Sequence, residues 1–123
     1  MFEVQVVFPA ANSPTQTTMA RVLTTTLVAR QRDRVTWTFF NCDTRIGYAE
    51  IEFQNTTHQF FPGTANPHKF GKNVGGSGDI YGDVPDLNVT RPVLSKYTVR
   101  GWNNPSKSQL CSEHDPEILI YEP

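Results

Sequence analysis

The sequence has few of the residues that mark redox, metal-binding or secreted proteins. It contains two cysteines, three histidines and two methionines among 123 residues. Two cysteines are too few for a disulfide scaffold. Because nothing else in the sequence indicates export, Cys42 and Cys111 are expected to remain free thiols, although a single pairing stays open.

Long apolar runs are also missing. No run approaches the ~20 residues that a membrane-spanning helix needs. The first residues, Met1-Phe2-Glu3-Val4, lack the basic start, apolar stretch and small-residue cleavage site of a signal peptide. We therefore expect a cytoplasmic protein without a membrane span, or a secreted one if a leader preceded this start and was removed.

The sequence carries no excess of charge of either sign. The formal net charge is -1, whereas proteins that bind nucleic acid usually present a basic face. Nucleic acid is therefore not an expected partner. The one basic cluster, Arg30, Arg32 and Arg34, alternates with other residues, which predicts that the three share one face of a strand at a solvated sheet edge.

Catalytic motifs are absent from the sequence as well. There is no P-loop, dinucleotide fingerprint or zinc-protease motif, and the glycine-rich run Gly71–Gly82 precedes no helix. Cys111, His114 and the acids Glu113 and Asp115 are neighbours in the chain, but members of a catalytic triad usually come from different elements. We expect no enzymatic activity.

What the sequence does contain is a series of short segments typical of β-strands. Alternating apolar residues and β-branched runs predict strands at 2–8, 21–29, 35–40, 48–53, 89–94, 97–101 and 117–121. A helical turn at 17–23 is the alternative for the second segment. Trp37 is large enough to anchor a core between two sheets, and Glu50 and Glu52 are expected to face solvent.

This pattern predicts an all-β fold, an antiparallel Greek-key β-sandwich that forms a single domain over residues 1–123. Residues 54–88 are rich in Gly, Pro and Asn, which predicts a long loop. Aromatic residues within this loop indicate that it packs onto the sheet. A long loop in a compact domain is usually functional or disordered, so we expect the binding surface there.

Three segments resemble the cupredoxin-like family. Arg32-Asp33-Arg34-Val35-Thr36-Trp37 is similar to its G-D-x-V-x-W turn and strand, with Arg32 in place of Gly and therefore an expected negative φ. Tyr48–Phe53 matches the strand that begins with His in copper proteins. The ending, Tyr97-Thr98-Val99 followed by Asp115–Ile120, resembles uncharacterised bacterial cupredoxin-like sandwiches that have lost the metal, and bacterial inclusion-body proteins end similarly. The resemblance implies a cupredoxin-like or immunoglobulin-like sandwich.

The resemblance also raises the question of a copper site. A type 1 copper site needs two His and one Cys thiolate with a weak axial ligand. Cys111 and His114 lie in the expected connection between the last two strands, but Tyr48 stands where the first His would be. His58 and His68 come later in the chain. We therefore expect no metal and no cofactor; copper held by Cys111, His114 and His58 is the alternative, and zinc is a weaker one.

Four aromatic residues in predicted loops are candidate ligand contacts: Trp102, Phe60, Phe61 and Tyr81. Such rings can stack on a sugar or a peptide, or they can cap the ends of the sandwich. We expect a non-enzymatic binding or self-associating structural module, whose partner is a protein or a second copy. The alternatives are a type 1 copper electron-transfer protein and a carbohydrate-binding, lectin-like domain. Sheet edges and the near-zero net charge are what favour self-association.

Overall fold

The computed structural model describes residues 2–23, 26–54, 59–74, 77–85 and 92–121. Within these ranges the backbone forms eleven strands, and no helix is long and apolar enough to cross a bilayer. In chain order the strands are β1 (Phe2–Phe8), β2 (Thr18–Met19), β3 (Arg21–Val22), β4 (Thr26–Arg30), β5 (Arg34–Asn41), β6 (Tyr48–Phe53), β7 (Lys69–Asn73), β8 (Ser77–Asp83), β9 (Val93–Trp102), β10 (Leu110–His114) and β11 (Glu117–Tyr121).

The strands form two sheets. The four-stranded sheet has the order β3-β1-β5-β8, and the seven-stranded sheet has the order β2-β10-β9-β11-β4, with β6 on the other edge of β9 and β7 beyond it. The pairs β1–β5, β2–β10 and β4–β11 are parallel, and the others are antiparallel. The predicted all-β sandwich is confirmed, with mixed rather than purely antiparallel sheets.

An aromatic cluster joins the two sheets. Trp37 on β5 is fully buried, and its ring lies 5.6 Å from that of Tyr97 on β9 and 6.0 Å from that of Phe53 on β6. Phe60 stacks on Phe53 at 3.7 Å, and Phe61 lies 5.9 Å from Trp37. Such ring pairs add to the stability that burial of apolar area already provides. The prediction that Trp37 anchors the core is confirmed.

The prediction of a long loop at 54–88 is wrong at Lys69–Asn73 and Ser77–Asp83, which form β7 and β8. Residues 55–58, 75–76 and 86–91, and so part of the predicted strand at 89–94, lie outside the described ranges. Two glycines of this segment, Gly71 and Gly82, occupy strand positions where a ring lies against the backbone. A Cβ at Gly82 would be 2.8 Å from Trp37 Cζ3, and one at Gly71 would overlap the ring of Tyr48. Glycine in a strand often marks such a close approach.

The segment predicted as one strand at 21–29 is divided between the sheets. β3 pairs with β1 in the four-stranded sheet, whereas β4 pairs with β11 in the seven-stranded sheet. The alternative of a helical turn at 17–23 is wrong, because β2 and β3 occupy that stretch. The described part of the predicted edge strand at 89–94 is the start of β9, where Val93 and Leu94 pair with β11; the pairing of β9 with β6 begins at Tyr97.

The arginine cluster surrounds a turn and does not share one strand face. Arg30 ends β4, Arg34 begins β5, and Arg32 lies between them with φ of 71°. This left-handed conformation is uncommon outside glycine, so the expected negative φ is wrong. Arg32 N–H donates to Val84 O at 2.8 Å, and Asp33 Oδ2 accepts from Arg30 N–H at 2.9 Å. These bonds hold the turn in that conformation.

The outer face of the seven-stranded sheet carries a network of charges. Arg100 on β9 lies 2.6 Å from Glu52, 3.3 Å from Glu50 and 3.0 Å from Glu113, and Lys107 also pairs with Glu50. The hydrogen bond from Arg100 lowers the pKa of Glu52. Glu50 is only 2% exposed, so the prediction that it faces solvent is wrong; paired cations make its burial tolerable.

We expect Arg100→Met to lower the free energy of unfolding by roughly 1–3 kcal/mol, because it leaves the buried Glu50 carboxylate with fewer partners. The matched control is Arg34→Met. Arg34 pairs with Asp83 at 2.9 Å where both side chains are largely exposed, so its loss should change stability little. Urea denaturation of the two variants measures the difference. Equal midpoints would contradict the structural importance of the network.

Tyr97 links stability to alkaline pH. Its burial raises the pKa of the phenol well above the ordinary value. The folded state therefore holds this proton more tightly than the unfolded chain, in which tyrosine titrates at about 10. The contribution of the buried phenol to stability is therefore present below about pH 10 and is lost as the pH rises above that value.

We expect Tyr97→Phe to reduce the loss of stability that the wild type shows above about pH 10, because the variant has no buried phenol to ionise. Melting temperatures measured between neutral and alkaline pH test this. Tyr81→Phe is the control, since Tyr81 is 50% exposed and should leave the alkaline loss unchanged. The same alkaline loss in Tyr97→Phe and the wild type would refute the assignment.

Candidate functional site

The predicted ligand pair Cys111 and His114 does not lie in a connection between strands. Both residues belong to β10, whereas the connection from β9 to β10 comprises residues 103–109. Cys111 is fully buried, and His114 is half-buried at the end of the strand. Positions three residues apart on a strand are separated by about 10 Å. The two residues therefore lie along a strand and not at the tip of a loop.

The other histidines do not complete a site in the described structure. His58 lies outside the described ranges. His68 O accepts a hydrogen bond from Phe53 N–H at 2.8 Å, which places it where Tyr97 pairs with Phe53. Cys111 lies beside the other end of β9, near Gly101, at least about 13 Å away along that strand. Among the residues described, no three His, Cys, Asp or Glu side chains form a metal-binding group.

Both cysteines are free thiols, one exposed (Cys42) and one buried (Cys111). Burial raises the pKa of Cys111, and the charge of Arg45 opposes that shift. Arg45 instead pairs with Asp43 at 2.7 Å and lowers the pKa of that carboxyl through its hydrogen bonds. A buried thiol whose pKa is raised is a poor nucleophile. Cys111 is therefore part of the packing.

A cavity of about 400 Å³ lies between residues 10–14 and 42–45. The polar groups that line it mostly bond to one another. Arg45 donates to Asp43 and to Pro14 O at 2.9 Å, and Asn12 N–H donates to Gln16 Oε1 at 2.6 Å. Groups already engaged in this way have little capacity to bind a ligand, because a new contact would break an existing one.

The four aromatic candidates do not come together. Phe60 and Phe61 are buried in the core, so they cap the sandwich and offer no ring to a ligand. Trp102 is half-buried on the outer face of the seven-stranded sheet, beside Tyr48. Tyr81 is 50% exposed on the outer face of the other sheet. Of the four, Tyr81 presents the most accessible ring.

A groove of about 380 Å³ surrounds Tyr81, on the outer face of the four-stranded sheet. It is lined by Glu3, Thr36, Thr38, Asp79 and Tyr81. The pairing of three strands brings these residues together. Thr36 on β5 lies opposite Tyr81 on β8 and opposite Glu3 on β1, and Thr38 lies opposite Asp79. We call these five residues the Tyr81 face.

The Tyr81 face combines an aromatic ring with hydroxyl and carboxylate groups. Thr36 is 8% exposed, and its hydroxyl is buried with no hydrogen-bond partner among the described residues. Tyr81 OH lies 3.5 Å from Asp79 Oδ2, and Glu3 Oε1 accepts a bond from Gln5 Nε2 at 3.2 Å. A ring beside several donors and acceptors suits a neutral ligand rich in hydroxyl groups.

Sequence analysis selected Tyr81 but missed Glu3, Thr36, Thr38 and Asp79. Alternation along β1 and β5 does place the first three on the face opposite Trp37. Asp79 could not be added, because the glycines around it indicated a loop. Only the pairing of β8 with β5 brings Tyr81 and Asp79 beside the threonines.

No protein-family description matches the sequence, and no curated protein matches it either. Among solved structures, auracyanin B is similar at 15% identity with a TM-score of 0.47, over 97% of this chain and 88% of that one. The McoA multicopper oxidase from Aquifex aeolicus has 14% identity and a TM-score of 0.46, over 98% of this chain and 26% of the oxidase. Rusticyanin from Thiobacillus ferrooxidans has 13% identity and a TM-score of 0.43, over 96% and 75%. These structural neighbours are cupredoxins of low sequence identity.

Proposed function

We propose that the protein is a non-enzymatic binding module that recognises carbohydrate through the Tyr81 face. The observation that carries this proposal is the half-exposed ring of Tyr81 in a groove that is also lined by Glu3, Asp79 and two threonines. The apolar face of a sugar ring can stack on the tyrosine ring. Its hydroxyl groups can bond to Thr38 and donate to the carboxylates of Glu3 and Asp79.

The charges of the groove favour a neutral ligand. Glu3 and Asp79 would repel an anionic ligand such as a phosphate ester. They stand on β1 and β8 with β5 between them, two residues apart in register, so their backbones are about 12 Å apart. A polyhydroxylated ligand uses both carboxylates as hydrogen-bond acceptors without requiring them to meet.

The polar groups of the groove favour binding. Glu3 Oε1 accepts a hydrogen bond from Gln5 Nε2, and Asp79 Oδ2 lies 3.5 Å from Tyr81 OH, so both carboxylates act as hydrogen-bond acceptors. The threonine side chains between them offer hydroxyl contacts and no further acid. Binding is therefore the activity that we propose.

Self-association through sheet edges receives less support from the structure. At the end of β4, the backbone of Arg30 is bonded within the turn that follows. Arg30 N–H donates to Asp33 Oδ2, and Asp33 N–H donates to Arg30 O at 3.2 Å. The far end of β8 is bonded as well, because Asp83 N–H donates to Phe60 O at 2.8 Å. Backbone groups already bonded cannot pair with a second copy.

We expect Tyr81→Ala to weaken binding of the glycans that the wild type recognises on an array by roughly 3- to 10-fold, the contribution of one stacked ring. Its melting temperature should stay unchanged because Tyr81 lies at the surface. Leu94→Ala is the matched control; Leu94 is also 50% exposed but lies on the other sheet. If the wild type binds no glycan, or if Tyr81→Ala binds as well as the control, the proposed function is wrong.

We expect no type 1 copper site. Titration of the reduced protein with copper should give no intense visible band from thiolate ligation, because Cys111 is buried and lies about 10 Å along β10 from His114. Cys111→Ser should give the same spectrum as the wild type. A stoichiometric band that disappears in both Cys111→Ser and His114→Ala would establish the copper protein instead.

A further inference from the structure

A second exposed ring lies on the same outer face as Tyr81. Phe40 on β5 is 43% exposed. It lies opposite Ser77 on β8 and opposite Val7 on β1, and it follows Thr36 and Thr38 at alternate positions of β5, so all three side chains point outward. An apolar ring of this size is usually buried. The packing of the core does not explain why Phe40 is exposed beside a polar groove.

The two rings stand at opposite ends of a trough that follows β5. Thr36 and Thr38, whose side chains are short, form its floor. Longer side chains form its walls, with Glu3 and Gln5 on β1 and Asp79 and Tyr81 on β8. Thr36, which pairs with Tyr81, and Phe40 are four residues apart, so the two rings are separated by about 13 Å along the strand and by one strand spacing across it.

The trough is bounded beyond Tyr81. Arg34, the next outward residue of β5, pairs with Asp83 of β8 at 2.9 Å. This ion pair joins β5 to β8 in the row of outward β5 residues that includes Thr36 and Thr38. A ligand that lies along β5 can therefore extend from Tyr81 only in the direction of Phe40.

We propose that the ligand is an extended oligosaccharide that lies along β5, with one sugar ring stacked on Tyr81 and a later one stacked on Phe40. The proposal depends on the proposed function and names the form of its ligand. A single sugar ring is comparable in size to one aromatic side chain and cannot reach both. The hydroxyl groups of the intervening sugars bond to Thr38, Gln5 and Asp79.

The test is the dependence of affinity on chain length. Cello-, chito- and malto-oligosaccharides from the disaccharide to the hexasaccharide are titrated calorimetrically against the wild type, Phe40→Ala and Phe40→Tyr. We expect the affinity of the wild type for one series to rise with length until the chain reaches Phe40. Phe40→Ala should remove that gain, roughly 3- to 10-fold, and leave the affinity for the disaccharide unchanged.

Phe40→Tyr keeps the ring and should retain the gain, which separates stacking from damage to the fold. Val28→Ala, at a residue that is 49% exposed on the other sheet, should bind as the wild type does. Binding that does not increase with length, or a loss in Phe40→Ala that is equal for short and long chains, overturns this inference and leaves the Tyr81 site in place. Failure of every oligosaccharide to bind the wild type overturns the proposed function itself.

Discussion

The structure depends on the contact of Trp37 with Tyr97 and Phe53 across the two sheets. The three rings are buried and lie within 6.0 Å of one another, so they fix which side of β5, β6 and β9 faces inward. Successive residues of a strand point to opposite sides. Once Trp37 points into the core, Thr36 and Thr38 must point out of it, and the two outer faces of the sandwich follow from this one contact.

The two outer faces have different chemistry. On the seven-stranded sheet, Glu50, Glu52 and Glu113 all contact Arg100, and Lys107 also contacts Glu50. These acids and cations satisfy one another, as a buried charge requires. On the four-stranded sheet, the acids face threonine hydroxyls and the ring of Tyr81. Charge pairing thus closes one face, and the other retains polar groups that a neutral ligand can engage.

Local alternation was sufficient to predict the strands that contain large inward residues. The prediction for β1 is confirmed in its bounds, as is that for β6, and the prediction for β5 is confirmed within one residue at each end. Alternation could not predict β8, because its glycines lie against side chains from other parts of the chain, Val74 against Gly78 and Trp37 and Phe61 against Gly82. The same limit applies to Glu50, whose burial depends on cations fifty or more residues away in the sequence.

The candidate site was predictable only in part for a related reason. Tyr81 could be selected as an aromatic residue in a polar segment, and alternation along β1 and β5 places Glu3 and Thr36 outward. Their proximity depends on a parallel pair and an antiparallel pair of strands that are far apart in the chain. The prediction that Cys111 and His114 lie in a connection between strands is wrong. The two residues are close in the sequence, but an extended strand separates them in space.

The position of the Tyr81 face also determines which groups it offers to the proposed ligand. Edge strands offer unpaired backbone groups, which another chain can extend. Here Arg30 N–H at the end of β4 donates to Asp33 Oδ2, and Asp83 N–H at the end of β8 donates to Phe60 O, so neither N–H group is available to another chain. β5 lies in the middle of the four-stranded sheet and pairs with both β1 and β8, so along β5 only side chains are available. We therefore expect recognition along β5 to come from the rings of Tyr81 and Phe40 and from the polar groups between them.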